Sequence, residues 1–353
     1  MGKKMTKAKI IFGMPDEEYH SIAALSASGI KNILISPMDF WARSLMAPDF
    51  LKEENTEACK IGRAYHKRIL EGKDAFDASY VRSFNAPEGC LRTKEEIKTE
   101  LEHLGIMAPK SSKKEDLIEL AKANGVFNIL ELCKDIYEEN NSGKEQLSSE
   151  LVDRIEIAAA MIEKHPELSK CFSGGYPEVS IFWEEDGINF KARLDYLKTK
   201  AVIDLKTFSN YSNKPIERAI YGSMAAGKYH IQAAFYLHAI DIAKNSEMES
   251  WGNSADNSVI NGPSKEWLEE LAKCEKHDFY SVFQQKGIAP VARAFKFGQD
   301  RAQGMMGAAN SAIEQAIYIF KKYSDYYGDD PWVDLSNIQE FHDDEFPSYA
   351  TEL

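Results

Sequence analysis

Residues 191 to 207 concentrate the side chains best suited to catalysis. Val202-Ile203-Asp204-Leu205-Lys206-Thr207 reads as a short strand. Side chains two apart in a strand share a face, so Asp204 and Lys206 point the same way. Upstream, Lys191-Ala192-Arg193-Leu194-Asp195-Tyr196-Leu197 reads as a partner strand carrying a second acid. Two carboxylates and a lysine at the end of a small sheet suit metal-assisted hydrolysis of a phosphodiester. That chemistry needs charge neutralised on the nonbridging oxygens and a water deprotonated near neutral pH, and a bound divalent metal supplies both. Magnesium prefers oxygen donors in octahedral geometry, which points to Asp195 and Asp204 as bridging carboxylates and to the Leu205 carbonyl as a further donor. Lys206 would orient the attacking water or offset negative charge in the transition state. His66 is an additional ligand candidate that manganese would accept. Each piece alone also has a plain structural reading: an exposed ion pair, a structural histidine, and for Glu178 an edge-strand carboxylate.

The elements that must position these groups are legible from periodicity. Tyr176 to Trp183 alternates as a strand, Asp186-Gly187 is a hairpin turn signal, Ile188 to Lys198 is the second strand and Ala201 to Thr207 the third. The expected unit is a three-stranded antiparallel meander. Around it, Ala8 to Phe12 reads as a short strand, and Ser26 or Ser28 caps a helix stopped by Pro37. Another helix starts at Met38, and Glu53 to Leu70 is a helix with Gly62 and His66 four apart on one face. Leu151 to Lys164, Pro215 to Tyr221, Lys228 to Ala243 and Arg301 to Tyr326 complete the helices, and Phe279 to Gln284 with Pro290 to Phe297 reads as a later hairpin. Gln232 and Tyr236 lie four apart on the Lys228 helix.

Residues 91 to 149 differ in character, being rich in Lys and Glu. Thr93-Lys94-Glu95-Glu96 has the form of a capping box, and a second short helix is expected to start at Ser111 or Ser112. Two short helices across a Gly-Ile-Met-Ala-Pro link are similar to SAP-like, helix-extension-helix modules; a surface helical hairpin inserted in a loop is the alternative. The expected organisation is 1–90 as N-terminal helices carrying His66, 91–149 as this insertion, 150–325 as the core, and 326–353 as an acidic tail.

The chain has 353 residues and a net charge of −13. That charge is segregated: seven basic residues face three acids from Lys191 to Arg218, whereas beyond Lys322 nine acids follow with no Lys or Arg. A basic working face with an acidic interaction tail is one reading, an uneven solvated surface the other. No apolar run approaches the roughly 20 residues of a membrane span, so a cytoplasmic location without membrane contact is expected. The five cysteines form no CxxC pair, and reduced, mostly buried thiols are expected. Gly222 to Lys228 matches part of a phosphate-binding loop, but Tyr229 stands where Ser or Thr belongs and no strand precedes it, so no nucleotide is expected.

The order of these motifs resembles the PD-(D/E)xK nuclease superfamily in its RecB-like branch, and within it the nuclease domain of RecE-type exonucleases (exonuclease VIII). The residues carrying the likeness are Gly62 to His66, Glu178, Asp195 in Ala-Arg-Leu-Asp-Tyr, Asp204-Leu-Lys206-Thr207 and Gln232-Ala-Ala-Phe-Tyr236, with Leu25 to Ile30 and Ser36-Pro37 as an opening helix. It spans about residues 20 to 300 outside the insertion. The resemblance implies an α/β (α+β) fold with a restriction-endonuclease-like core, a central mixed sheet flanked by helices. It implies His66, Asp195 and Asp204 as ligands of Mg2+ or Mn2+, Lys206 as catalytic, and Glu178 as a second-metal or supporting carboxylate. Gln232 and Tyr236 would hold the substrate strand or the lysine, with Arg193 and Thr207 also toward substrate. Asp-x-Lys departs from the commoner Glu-x-Lys, though either carboxylate ligates metal. Only Cys274 follows the motifs, which argues against the iron–sulfur cluster of some relatives. The implied activity is digestion of double-stranded DNA ends, 5′ to 3′, by a ring-forming homo-oligomer working with a single-strand annealing protein. The alternatives are a structure-selective endonuclease or single-strand nuclease of the same fold, or a noncatalytic DNA-binding recombination scaffold. Trp183, Tyr211 and Tyr221 are candidates to stack on a strand, with core packing the alternative for each.

Overall fold

The computed structural model describes residues 8–51, 56–109, 111–211, 213–245, 252–253, 262–287, 290–298 and 303–334. The chain divides into two compact units: Met1–Thr56, Glu167–Gln285 and Arg293–Leu353 form one, and Glu57–Pro166 with Lys286–Ala292 form the other. The first unit opens with β1 (Ala8–Phe12), α1 (Asp16–Ser21), α2 (Ala27–Ile33) and α3 (Pro37–Arg43). The second contains α4 (Glu57–Leu70), α5 (Lys73–Ser79), β2 (Tyr80–Arg82), α6 (Lys94–His103), α7 (Lys114–Ala123), α8 (Leu130–Asn140), β3 (Glu145–Leu147) and α9 (Ser149–Lys164). The chain then completes the first unit with α10 (Leu168–Cys171), β4 (Tyr176–Glu185), β5 (Ile188–Leu197), β6 (Ala201–Phe208), α11 (Ile216–Ala226) and α12 (Tyr229–Lys244). After these come β7 (Gly252–Asn253), α13 (Lys265–Lys273), β8 (Asp278–Gln285), β9 (Ala292–Lys296) and α14 (Gly304–Tyr327).

The first unit is built on a mixed sheet of strand order β7-β1-β4-β5-β6-β8-β9. The β4–β5–β6 meander is antiparallel throughout, as its alternation and turns require. Asp186 and Gly187 both take positive φ (51° and 78°) at the β4–β5 hairpin, where the primed turn matches the twist of the strands. β6 pairs on its other edge with β8, in parallel, over all eight of its residues from Ala201 to Phe208. A parallel neighbour needs a crossover, which α11, α12 and α13 supply; the later hairpin expected from sequence therefore joins the meander's own sheet. β5 is buried at nine of its ten positions. α12 accounts for this on one face, with ten of its sixteen residues buried against the sheet and against α14. Ile10, Leu25, Ile30, Ile181, Leu194, Phe235 and Phe279 are the centre of that core, each at most 2% exposed.

Local capping explains the early helices. The Ser26 hydroxyl accepts from Gly29 N–H at the start of α2, and Ser36 accepts from Asp39 N–H at the start of α3. In the second unit the Thr93–Glu96 capping box forms as expected. α7, however, begins after Lys113 rather than at Ser111 or Ser112, because the Asp116 carboxylate takes the Lys113 N–H. α6, α7 and the unanticipated α8 enclose their own apolar cluster around Ile97, Leu101, Leu117 and Ile129. α4, α5 and α9 share a separate cluster around Ala64, Tyr65, Phe76 and Ile155. The compact unit is thus wider than the 91–149 segment, since α4 and α9 bury against each other.

Several expectations change. The cysteines are free but not buried: Cys59 is exposed and Cys90, Cys133, Cys171 and Cys274 are half-buried. Trp183 is a core residue, stacked on Phe190, whereas Tyr211 is 93% exposed and so serves no core. α13 was not anticipated. Arg301 and the acidic tail from residue 335 lie outside the described residues. No helix among the described residues is long and apolar enough to cross a membrane.

Gly175 stands at the entry to β4, and a Cβ there would overlap the Leu197 carbonyl and crowd the Tyr196 ring. A backbone oxygen on the far strand cannot give way as a side chain can. Gly175→Ala should therefore cost about 1–3 kcal/mol of stability, read as a lowered urea midpoint; an unchanged midpoint would disprove this packing constraint.

Candidate active site

The register of the meander sets four polar residues in one row. The β4–β5 ladder, bridged at Pro177–Tyr196 and Val179–Leu194, brings Glu178 level with Asp195. The β5–β6 ladder, bridged at Tyr196–Ile203 and Leu197–Val202, brings Asp195 level with Asp204. Asp204 in turn pairs with Ser281 of β8. Glu178, Asp195, Asp204 and Ser281 therefore cross four adjacent strands in sequence. At this row the β5–β6 bridges stop, and the Asp195 carboxylate takes over: its Oδ2 accepts the Leu205 N–H at 2.7 Å. The side chain satisfies a backbone donor that ladder pairing leaves open, as buried backbone groups require.

Asp204 is 1% exposed, and both of its oxygens accept hydrogen bonds. Oδ1 accepts from Lys206 Nζ at 2.7 Å and from Gln232 Nε2 at 3.0 Å; Oδ2 accepts from the Ser281 hydroxyl at 3.3 Å. Burial pulls the Lys206 ammonium toward deprotonation, but the Asp204 and Asp195 carboxylates outweigh it and hold its pKa above the usual lysine value. Burial pushes the Asp195 carboxyl up, opposed by Lys206 and by the Leu205 N–H. Tyr236, one turn beyond Gln232 on α12, is buried beside both aspartates, and burial together with Asp195 raises its phenol well above its ordinary value. The site is thus a charged cluster enclosed by the sheet and α12, containing two carboxylates and one ammonium.

The remaining expected residues divide. Glu178 adopts a left-handed backbone (φ 51°) within a strand. Such a conformation costs on the order of 1–3 kcal/mol in a non-glycine residue and gathers at functional positions. Its carboxylate lies 3.8 Å from Arg193 Nε. Arg193, expected to face substrate, is 8% exposed and turned inward: it donates to Ser180 Oγ, Asp16 and the Met14 carbonyl, and its guanidinium covers the Tyr19 ring. Lys191 is also internal, giving its ammonium to the carbonyls of Tyr19 and Ile22 at 3.0 and 2.7 Å, and burial lowers its pKa to about 8. Two of the seven cations of the presumed basic face therefore anchor α1 over β5 instead. Thr207 is half-buried on β6. Gln232 holds Asp204, not Lys206. His66 is on α4, in the second unit. The Gly222–Lys228 stretch is the end of α11 and its cap, not a loop after a strand. Sequence reading missed Ser281, a hydroxyl on an alternating strand with no local motif to mark it. A cavity of about 580 Å³ between α12, α14 and the β4–β5 hairpin, lined by Trp183, Phe190, Phe235 and His238, contains none of the residues of the row.

Among the described residues, no three His, Cys, Asp or Glu side chains are drawn into a ready-made metal cage. The donor chemistry nevertheless fits a hard divalent cation. Two buried carboxylates share a single ammonium, so the cluster carries excess negative charge on oxygen, and such a cation takes few protein oxygens while keeping waters. Without a cation, Asp195 holds its proton more tightly folded than unfolded. Its contribution to stability is then present at low pH and is lost as pH rises through the raised pKa. Asp195→Asn keeps an oxygen for Leu205 N–H and removes the charge. In chelator it should melt at or above the wild-type temperature, with a flatter decline as pH rises above the ordinary carboxylate range; a clearly lower Tm would show that the charge stabilises the fold.

Comparison with known proteins identifies a family for the chain. The model of a family described as a PDDEXK-like domain of unknown function (DUF3799) matches residues 26–252. A crystal structure from Eubacterium rectale, described as a "putative exonuclease", aligns with a TM-score of 0.42 at 14% identity over 88% of each chain. No curated protein matches the chain significantly. The carboxylate row, the Asp-x-Lys strand and the helix that closes over them thus sit inside the matched segment, and the chain belongs to the DUF3799 family of PDDEXK-like domains, with a nuclease-type core.

Proposed function

We propose that this protein is a metal-dependent DNA exonuclease that hydrolyses phosphodiester bonds from double-stranded ends. The observation that carries the reading is the buried Asp204–Lys206 pair in one row with Asp195 and Glu178. Asp195, Asp204 and the Leu205 carbonyl are the groups that would hold Mg2+, with Mn2+ as a substitute. A bound divalent cation would neutralise nonbridging phosphate oxygens and lower the pKa of a water. The chain's own residues do the rest. Lys206 stays protonated and supplies positive charge where the transition state gains negative charge. Gln232 and Ser281 fix the Asp204 carboxylate in one orientation. The row resembles that of RecE-type exonucleases, and this likeness extends the proposal to 5′ to 3′ digestion, a homo-oligomeric ring and an annealing partner in recombination. A structure-selective endonuclease or single-strand nuclease of this fold is distinguished by substrate: an exonuclease leaves closed circular duplex intact.

End-labelled linear duplex should be digested with Mg2+ and not with chelator, while closed circles survive. Asp204→Ala should lower the rate by about 10²-fold or more, and Lys206→Ala by about 10²–10³-fold. If purified Asp204→Ala digests DNA as fast as wild type, the assignment of chemistry to this row is wrong.

A further inference from the structure

A second ammonium stands close to the carboxylate row, and nothing in the reaction as described uses it. Lys31, on α2, gives its Nζ to the Gly227 carbonyl at 3.2 Å and lies 5.8 Å from the centre of the Tyr229 ring. Lys206 Nζ lies 5.3 Å from the centre of the same ring. The two lysines therefore share one phenol, although they are far apart in sequence. The corner that seats this ring is specific. Lys228 takes a left-handed φ of 47°, and a Cβ on Gly227 would collide with the Tyr229 ring. Tyr229 also packs on Phe283 of β8, which holds the ring from the sheet side.

The charges around the two lysines differ. Lys206 is matched by Asp204 at 2.7 Å. Lys31 is engaged by a neutral carbonyl and forms no ion pair among the described residues. Burial and the charges of Lys206 and Lys228 disfavour the Lys31 ammonium, and Asp204 favours it. The corner thus has positive charge in excess of its anions, next to a row with the opposite excess. A polyanionic strand crossing both would meet metal-binding carboxylates at one phosphate and an unmatched ammonium beside it.

Building on the nuclease reading, we propose that Lys31 is a substrate-binding residue that grips a nonbridging oxygen of the DNA phosphate adjacent to the one cleaved, with Tyr229 as the spacer that sets its distance from Lys206. An ammonium–phosphate contact is charge-assisted and directional enough to position the strand. It acts on binding in ground and transition states alike, so its loss belongs in KM more than in kcat.

The test uses the full-length protein and a short linear duplex. Lys31→Met should raise KM roughly ten-fold with a smaller change in kcat, and should reduce the slope of log affinity against log salt by about 1. Lys31→Arg should restore most of the KM. A neutral methylphosphonate at the first phosphate beside the cut should raise KM for wild type and add little to Lys31→Met. If wild type digests DNA but Lys31→Met keeps its KM and salt slope, the Lys31 assignment falls while the nuclease reading stands. An equal kcat loss with a lowered Tm and no rescue by Arg would reduce Lys31 to a structural tie between α2 and Gly227, and overturn the assignment. If wild type itself leaves DNA intact with Mg2+, both readings fall together.

Discussion

The constraint on which the structure turns is the burial of Asp204 with Lys206. An unpaired charge in a protein interior is expensive, and a buried pair is tolerated only with good geometry and with its remaining hydrogen-bonding capacity filled. Asp204 draws three donors onto its two oxygens. Lys206 and Gln232 share one of its oxygens and Ser281 takes the other. Those donors come from β6 itself, from α12 and from β8, so three elements must dock correctly before the pair can exist. A cluster of this kind stabilises little by its own formation, but it penalises any packing that leaves one member unmatched.

The sheet topology serves that cluster. β6 is paired along its entire length by β8, which leaves its β5 edge able to open at Asp195 and Asp204 without loss of the strand. The opening frees the Leu205 N–H for the Asp195 carboxylate. Beside this region two non-glycine residues take a left-handed backbone, Glu178 at the end of the row and Lys228 at the corner below Tyr229. Basic residues divide by task. Lys191 and Arg193 are consumed holding α1 across β5, whereas Lys31 and Lys206 flank Tyr229. A net charge of −13 therefore coexists with two lysines gathered at one ring beside the row.

Much of this was readable in the chain, for identifiable reasons. Asp204 and Lys206 were recognisable as neighbours because strand periodicity is 2, and Gln232 and Tyr236 because helix periodicity brings residues four apart together. Asp186-Gly187 announced the hairpin because few dipeptides tolerate two positive φ angles. The Thr93–Glu96 box announced α6 because its two hydrogen bonds are local. Ser281 and Lys31 gave no such sign. Ser281 reaches Asp204 across 77 residues, and Lys31 reaches Gly227 across 196. Arg193 gave no sign either: the resemblance pointed it toward substrate, and its partners, Met14 and Asp16, lie 179 and 177 residues away.

What the sequence determined by itself was therefore the set of chemical groups, the elements that bear them, and the face each shares with its near neighbours. These follow from backbone periodicity and short-range hydrogen bonding, which extend only a few residues. The tertiary structure decided which strand edge opens, that Glu178, Asp195, Asp204 and Ser281 fall into one row, and which cations remain for an anion. Those outcomes depend on register and on competition among distant partners for buried charge. Coulombic and desolvation energies are set by distance in space, and separation along the chain does not reveal that distance.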